Sequence, residues 1–305
     1  MGEVDATLLR EVSRSFSISL RLLPGPMRRP VSLAYLLARA SDTLADTPGV
    51  AADERIQWLD GFIDEAKGGS PAWRSDLRRF SETQTHDGER RLMETLGDCF
   101  EALDALPQTQ GEIVREVVGI ITGGQRLDVE RFASGPAVLP DDESLDDYCF
   151  RVAGCVGAFW TRIGFETLGE RFSEHDADEL ETWGVSYGKG LQLVNILRDL
   201  PGDLENGRCY LPVADGEDRN VLLKEAAKWR QRARGFLGQG MDYASRLESR
   251  RLRAATVLPA LIGEPTLDLL DGADWAELER GVKVSRATVR WCLWQALIWR
   301  REEMV

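Results

Sequence analysis

PVSLAYLLARASDTLAD, residues Pro30–Asp46, is apolar on nearly every side but one. Wound as a helix at about 100° per residue, it brings Tyr35, Arg39, Asp42 and Asp46 into one narrow arc. KGLQLVNILRDLPGD, residues Lys189–Asp203, repeats the form, aligning Gln192, Asn195, Asp199 and Asp203. The remaining positions of both stretches are mostly Leu, Val, Ile and Ala, so both read as buried helices with a single polar stripe. A buried carboxylate costs several kcal/mol (about 3–5 when left unpaired) unless it is paired or bound to a cation. Four carboxylates facing one interior would repel each other and largely protonate. Shared divalent cations resolve that conflict, and an all-oxygen donor set points to Mg²⁺. Mg²⁺ completes its shell with water and substrate phosphate, so the stripes predict an anionic, phosphate-bearing substrate in an apolar cavity. A lone D-x-x-x-D is common on solvated helix faces; here the flanks are apolar and the form occurs twice.

Outside these stretches the periodicity is helical almost throughout. Ile56, Leu59, Ile63 and Ala66 recur at 3–4 spacing, as do Leu92, Leu96, Cys99 and Leu103. No period-2 run stands out, and Pro and Gly breaks separate about ten predicted helices. No linker or low-complexity tract divides them. The reading is one all-α domain over residues 1–305. Thr47-Pro48-Gly49 stops the first striped helix just past Asp46, which leaves Asp46 at the negative pole of the helix dipole, a place suited to holding a cation. In the second, Pro201 removes a donor and disfavours α geometry at Leu200, so a kink or an end is expected before Asp203.

Asp and Glu number 51 against 38 Lys and Arg, a net charge of −13, which argues against a general nucleic-acid binder. The five cysteines include no C-x-x-C pair and read as reduced core residues of a cytoplasmic protein. His86 and His175 are the only histidines, which argues against a histidine zinc site or a Ser-His-Asp triad. The first residues are acidic and show no signal-type apolar core, and no stretch has the ~18–20 apolar residues of a membrane span. Trp291–Trp299 (WCLWQALIW), flanked by Arg290, Arg300 and Arg301, has two readings: a final core-packed helix, or an interfacial helix in peripheral contact with a membrane surface.

Further residues carry alternatives. Arg198 and Arg208 bracket the second acidic stripe and suit bidentate phosphate contacts, or else pair with the neighbouring acids. Ser13 or Ser15 caps a helix, or Arg14 and Ser15 bind a diphosphate. Asp147–Thr161 (DYCFRVAGCVGAFWT) places Gly154 and Gly157 in a helix at about 1 kcal/mol each relative to Ala. Either another helix packs closely there or a bulky apolar ligand fills the space, with Tyr148 presenting its phenol to it.

Four segments together resemble the head-to-head prenyl synthases, the squalene and phytoene synthase family: VSRSFSISLRLLP (Val12–Pro24), YLLARASDTLAD (Tyr35–Asp46), DYCFRVAGCVG (Asp147–Gly157) and LQLVNILRDLPGDLENGRCYLP (Leu191–Pro212). They occur in the family's order over the first two-thirds of the chain. The resemblance implies an all-α isoprenoid-synthase bundle with two acidic helices facing each other across a central cavity. It implies Mg²⁺ at Asp42, Asp46, Asn195, Asp199 and Asp203, with Gln192 nearby. It places Arg14, Ser15, Arg39, Arg198 and Arg208 near the diphosphates of prenyl diphosphate substrates, Tyr35 on the cavity wall and Tyr148 in catalysis. One departure stands out: Gly202 occupies a position that is usually acidic, so one potential metal contact is missing.

The implied chemistry is ionisation of an allylic diphosphate, attack by the C2=C3 bond of a second, and proton loss to diphosphate or Tyr148 to close a cyclopropyl diphosphate. VSRSF and DTLAD look more like squalene synthases, which makes farnesyl diphosphate the expected substrate and squalene the expected product. Dehydrosqualene, hydroxysqualene and phytoene are the alternatives. Gly281–Arg286 (GVKVSR) resembles a basic stretch where reductive members bind NADPH, which nominates Lys283 and Arg286; no G-x-G-x-x-G fingerprint is present. A non-catalytic assembly relative is the rival of another class, and its expected sign, loss of the aspartates, is missing. Monomer and homodimer both remain open.

Overall fold

The first striped stretch lies inside a 22-residue helix, Gly25–Asp46, in a computed structural model that describes residues 6–12, 20, 22–47 and 49–300. Pro26 sits in its first turn, where a missing N–H costs nothing, and Thr47 ends it in extended geometry. Leu33, Leu36, Leu37, Ala40 and Leu44 are each at most 1% exposed. Burying each leucine contributes roughly 2–3 kcal/mol relative to leaving it in water, so the apolar face fixes the helix and turns the polar stripe outward.

The described residues are almost wholly helical, as expected from the periodicity. Fourteen α-helices occur among them rather than about ten, the surplus being short pieces between breaks. In chain order they are α1 (Ala6–Val12), α2 (Gly25–Asp46), α3 (Ala52–Ala66), α4 (Leu77–Thr83), α5 (Asp87–Glu94), α6 (Leu96–Asp104) and α7 (Gln108–Phe132). There follow α8 (Asp142–Cys149), a π-turn at Phe150–Gly154, α9 (Cys155–Leu168), α10 (Ala177–Glu205), α11 (Arg219–Ser245), α12 (Arg250–Gly272), α13 (Trp275–Arg280) and α14 (Arg286–Ile298). One two-residue parallel pairing joins β1 (Ala137–Val138) to β2 (Arg208–Cys209).

The chain divides into two units, Met1–Ala133 with Arg162–Leu168, and Ser134–Thr161 with Gly169–Val305. In the first, α2 and α3 pack on α7. Phe62 meets Phe100 edge-on at 5.1 Å, and the buried Glu65 is held by Arg74 at 2.9 Å and by the Trp73 indole N–H at 2.8 Å. In the second, α10 packs on α11, α12 and the π-turn. Tyr187 of α10 enters the backbone ladder of α12: its hydroxyl donates to the Thr256 carbonyl at 2.7 Å and accepts from the Ala260 amide at 3.0 Å. Those two groups would otherwise bond to each other, so the tyrosine ties α10 to α12 and leaves neither orphaned. Gly240 of α11 leaves room for the Tyr187 ring.

The glycines of the Asp147–Thr161 segment resolve in favour of helix packing. A Cβ on Gly157 would collide with the Gly184 carbonyl of α10, and one on Gly188 would collide with the Ala153 carbonyl. The backbones touch, so dispersion along the seam offsets the lost helix propensity.

Candidate active site

The row on α2 lies within the first unit. Tyr35 is half-buried, and its hydroxyl donates to the Val12 carbonyl at 3.1 Å, tying α2 to the end of α1. Burial pushes its phenol up. One turn on, the Arg39 guanidinium bridges Asp42 of its own helix and Glu89 of α5. Asp42 is half-buried, and its carboxyl is pushed up to about 6, first by burial and then by the charge of Asp46. The Arg39 guanidinium acts in the opposite sense and does not cancel the two. Asp46, at the helix end, is exposed.

The row on α10 lies within the second unit. The helix does not end at Pro201 but runs to Glu205, so Asp203 keeps its helical alignment with Asp199. Leu200 and Pro201 are both buried, and that packing carries a proline whose cost is one missing bond to the Leu197 carbonyl. Asn206 closes the end, its side-chain amide donating to the Gly202 carbonyl at 2.8 Å. Gln192 is half-buried, Asn195 and Asp199 are exposed, and Asp203 is half-buried. Arg198 grips Asp199 with two hydrogen bonds of 2.8 and 2.5 Å. Of the two readings for Arg198, the neighbouring acid is the partner in this structure. Arg208 lies half-buried in β2.

Each row therefore holds an arginine on its first aspartate. Both pairs are about a third or more exposed, 34% and 36% for Arg39 and Asp42, 37% and 50% for Arg198 and Asp199. Ion pairs that wet are worth about 0–1 kcal/mol, so a divalent cation can displace the guanidinium.

Tyr148 lies in the last turn of α8, and its ring stacks on Tyr210 at 4.5 Å and 21°. Tyr210 is 4% exposed, so it fixes the plane of the half-buried Tyr148. The π-turn begins two residues later; such turns re-aim side chains. Lys189, one turn before Gln192, donates to Asp146 at 2.5 Å, and Arg232 donates to the other oxygen at 3.0 Å.

Sequence reading missed Glu89, Tyr210, Lys189 and Asp146. Tyr210 stood inside a segment already singled out, and its aromatic ring beside buried Cys209 and Leu211 was the available signal. Glu89 carried none, since its partner lies 50 residues away. Lys283 is exposed after Gly281, and Arg286 opens α14, also exposed. Arg14 and Ser15 lie outside the described residues.

Oxygen donors alone make up both rows. No group of three or more His, Cys, Asp or Glu side chains is placed to hold a metal by itself among the described residues. That donor set fits Mg²⁺, which is bound through one or two carboxylates plus substrate phosphate rather than by an all-protein cage.

A model of the squalene/phytoene synthase family matches residues 9–288. The chain belongs to that family. The resemblance carried by the four quoted segments is thus borne out. A presqualene diphosphate synthase of Zymomonas mobilis is 31% identical over 73% of this chain and 64% of that protein. A squalene synthase of Mycosarcoma maydis is 28% identical over 66% of this chain and 33% of that one. The chain thus spans less than two thirds of the length of these relatives. Among solved structures, TcSQS in complex with the ligand E5700 superposes with a TM-score of 0.76 at 20% identity, covering 96% of this chain and 84% of that one. The likeness establishes the all-α isoprenoid-synthase fold. No described helix is long and apolar enough to cross a membrane.

Proposed function

We propose that this protein is a Mg²⁺-dependent head-to-head prenyltransferase that joins two farnesyl diphosphates into presqualene diphosphate and carries that intermediate to squalene. The observation that carries the reading is the duplicated arrangement of an arginine held on the first aspartate of an all-oxygen row, Arg39 on Asp42 and Arg198 on Asp199. Mg²⁺ bound at Asp42, Asp46, Asn195, Asp199 and Asp203 would supply the positive charge that lets an allylic diphosphate leave.

The chain's own residues do the rest. Arg39 and Arg198, once off their aspartates, offer planar forks that match a phosphate as well as a carboxylate, and Arg208 adds a third. Glu89 keeps a second hold on Arg39, so that arginine stays near its row when Asp42 changes partner. The Tyr148 hydroxyl, its ring plane set by Tyr210, is a candidate acceptor for the proton lost on cyclopropane closure. In the second half-reaction, Lys283 and Arg286 would supply positive charge for the phosphates of NADPH, which would provide the hydride for a reduced product.

Family membership supports the reaction class, and the relatives' names support both the intermediate and the reduced product as outcomes. The test is to incubate purified protein with farnesyl diphosphate and Mg²⁺, with and without NADPH. Presqualene diphosphate without the nucleotide and squalene with it are expected. The absence of any C30 product refutes the assignment, and a C40 hydrocarbon formed only from geranylgeranyl diphosphate moves it to phytoene synthesis.

A further inference from the structure

Helix α14 realises both readings of the Trp291–Trp299 stretch, one on each side. Cys292 and Ala296, each 2% exposed, sit against Ala254, Val257 and Leu258 of α12, and the Cys292 thiol donates to the Leu261 carbonyl at 3.0 Å. The opposite arc is open. Trp291 is 56% exposed, Trp294 50%, Leu297 50% and Ile298 47%. These are four of the eight large hydrophobic side chains exposed among the described residues, gathered on one helix of 13 residues. Scattered exposed hydrophobics need no explanation; a contiguous set marks a binding surface. The two indoles stack on each other at 4.8 Å and 21°, which presents one flat aromatic surface.

Charge specifies the occupant. At about 100° per residue, Arg286 and Arg290 fall on the same arc as Leu297 and Trp294. Exposed Arg300 follows the helix, and no Asp or Glu occurs from Gly281 to Arg300 in a chain whose net charge is −13. We propose that this face docks on an anionic lipid bilayer, with α14 lying in the headgroup plane. The indoles and Leu297 enter the boundary between headgroups and acyl chains, and Arg290 and Arg300 meet lipid phosphates. A second copy of the chain fits the face less well. Two-fold pairing of this helix would set arginines against arginines, and α14 itself has no Asp or Glu to separate them. The inference stands on α14 alone and survives failure of the catalytic reading.

Flotation of the full chain with phosphatidylcholine vesicles, with and without one third phosphatidylglycerol, tests it. The chain is expected to float with the anionic vesicles and to stay behind with phosphatidylcholine alone. Trp291→Ser/Trp294→Ser should weaken partitioning by about tenfold or more. Arg290→Gln should weaken it about fivefold at low salt and little at high salt. Leu297→Glu, at an exposed side chain whose carbonyl, accepting from Arg250 of α12 at 2.7 Å, is unaltered by the substitution, gives the same test should the double variant fold poorly. The proposal is overturned if the wild-type chain ignores anionic vesicles, or if the variants float as it does. It is equally overturned if the wild-type chain sediments as a dimer that Leu297→Glu dissociates, because the face then belongs to a second copy.

Discussion

Replacing Gly157 with alanine tests the helix seam that carries the second acidic row. A Cβ there would lie deep inside the Gly184 carbonyl oxygen and 2.8 Å from the Val185 amide nitrogen. Both obstacles are backbone, so no rotamer change relieves them, and α9 must part from α10 by roughly 1 Å. A gap of that size forfeits up to half of each dispersion contact along the seam, including those of Gly154 with Val185 and Gly188 with Ala153. Overpacking of this kind costs about 1–3 kcal/mol, and backbone-on-backbone collision belongs at the upper end. Alanine returns about 1 kcal/mol of helix propensity, which leaves a net loss of about 2 kcal/mol. Gly123, in the middle of α7, is the control: a Cβ there meets nothing within 4 Å. Gly123→Ala should therefore stabilise by about 0.5–1 kcal/mol. Thermal melts followed by circular dichroism should place Gly157→Ala about 3 °C below the wild type and Gly123→Ala slightly above it. A Gly157→Ala protein that melts with or above the wild type would refute the close approach and reopen the reading in which a ligand fills that space.

Three further expectations concern the proposed site. Asp42→Asn and Asp199→Asn should each lower diphosphate release from farnesyl diphosphate by at least about a hundredfold while keeping wild-type helicity, since a neutral amide is a poor Mg²⁺ ligand; turnover within a few-fold of wild type would contradict metal ligation there. The Asp42 carboxyl, raised from 3.8 to about 6 in the fold, binds its proton more tightly folded than unfolded, so its contribution to stability is complete below about pH 4 and is lost as the pH rises through 6. In chelator-treated protein, the urea midpoint of the wild type relative to Asp42→Asn should therefore fall between pH 4 and pH 7, and a flat difference would show an ordinary carboxylate. Lys283→Ala should leave presqualene diphosphate formation intact and slow only the reductive step, read as accumulated intermediate at limiting NADPH; an unchanged squalene yield would remove Lys283 from nucleotide binding.

Helix positions and the two polar stripes were legible because their signal is local. Periodicity placed α2 and α10, and leucine burial then decides which arc faces outward, so Tyr35, Arg39 and Asp42 could be read in advance. What failed was local reasoning about a residue whose cost is paid in tertiary packing. Pro201 reads as a break, yet buried Leu200 and Pro201 hold the helix through it. The glycines at 154 and 157 announced either a close helix or a ligand without deciding between them, since the deciding residues, Gly184 and Gly188, sit on another helix. Glu89 and Lys189 were invisible for the same reason: each acquires meaning from a charge more than 40 residues away. The WCLWQALIW stretch was ambiguous because both readings are true of different arcs of one helix.

The most direct measurement is thermal stabilisation by farnesyl thiodiphosphate, which binds but does not ionise readily, in the presence of Mg²⁺ or a chelator. With acidic rows that hold magnesium against a prenyl diphosphate, ligand at one hundred times its Kd should stabilise the wild-type fold by about 2.7 kcal/mol. That shift should vanish with chelator and in Asp42→Asn and Asp199→Asn. An equal shift with Mg²⁺ and with chelator, or one that survives both substitutions, would contradict a metal-bridged diphosphate site.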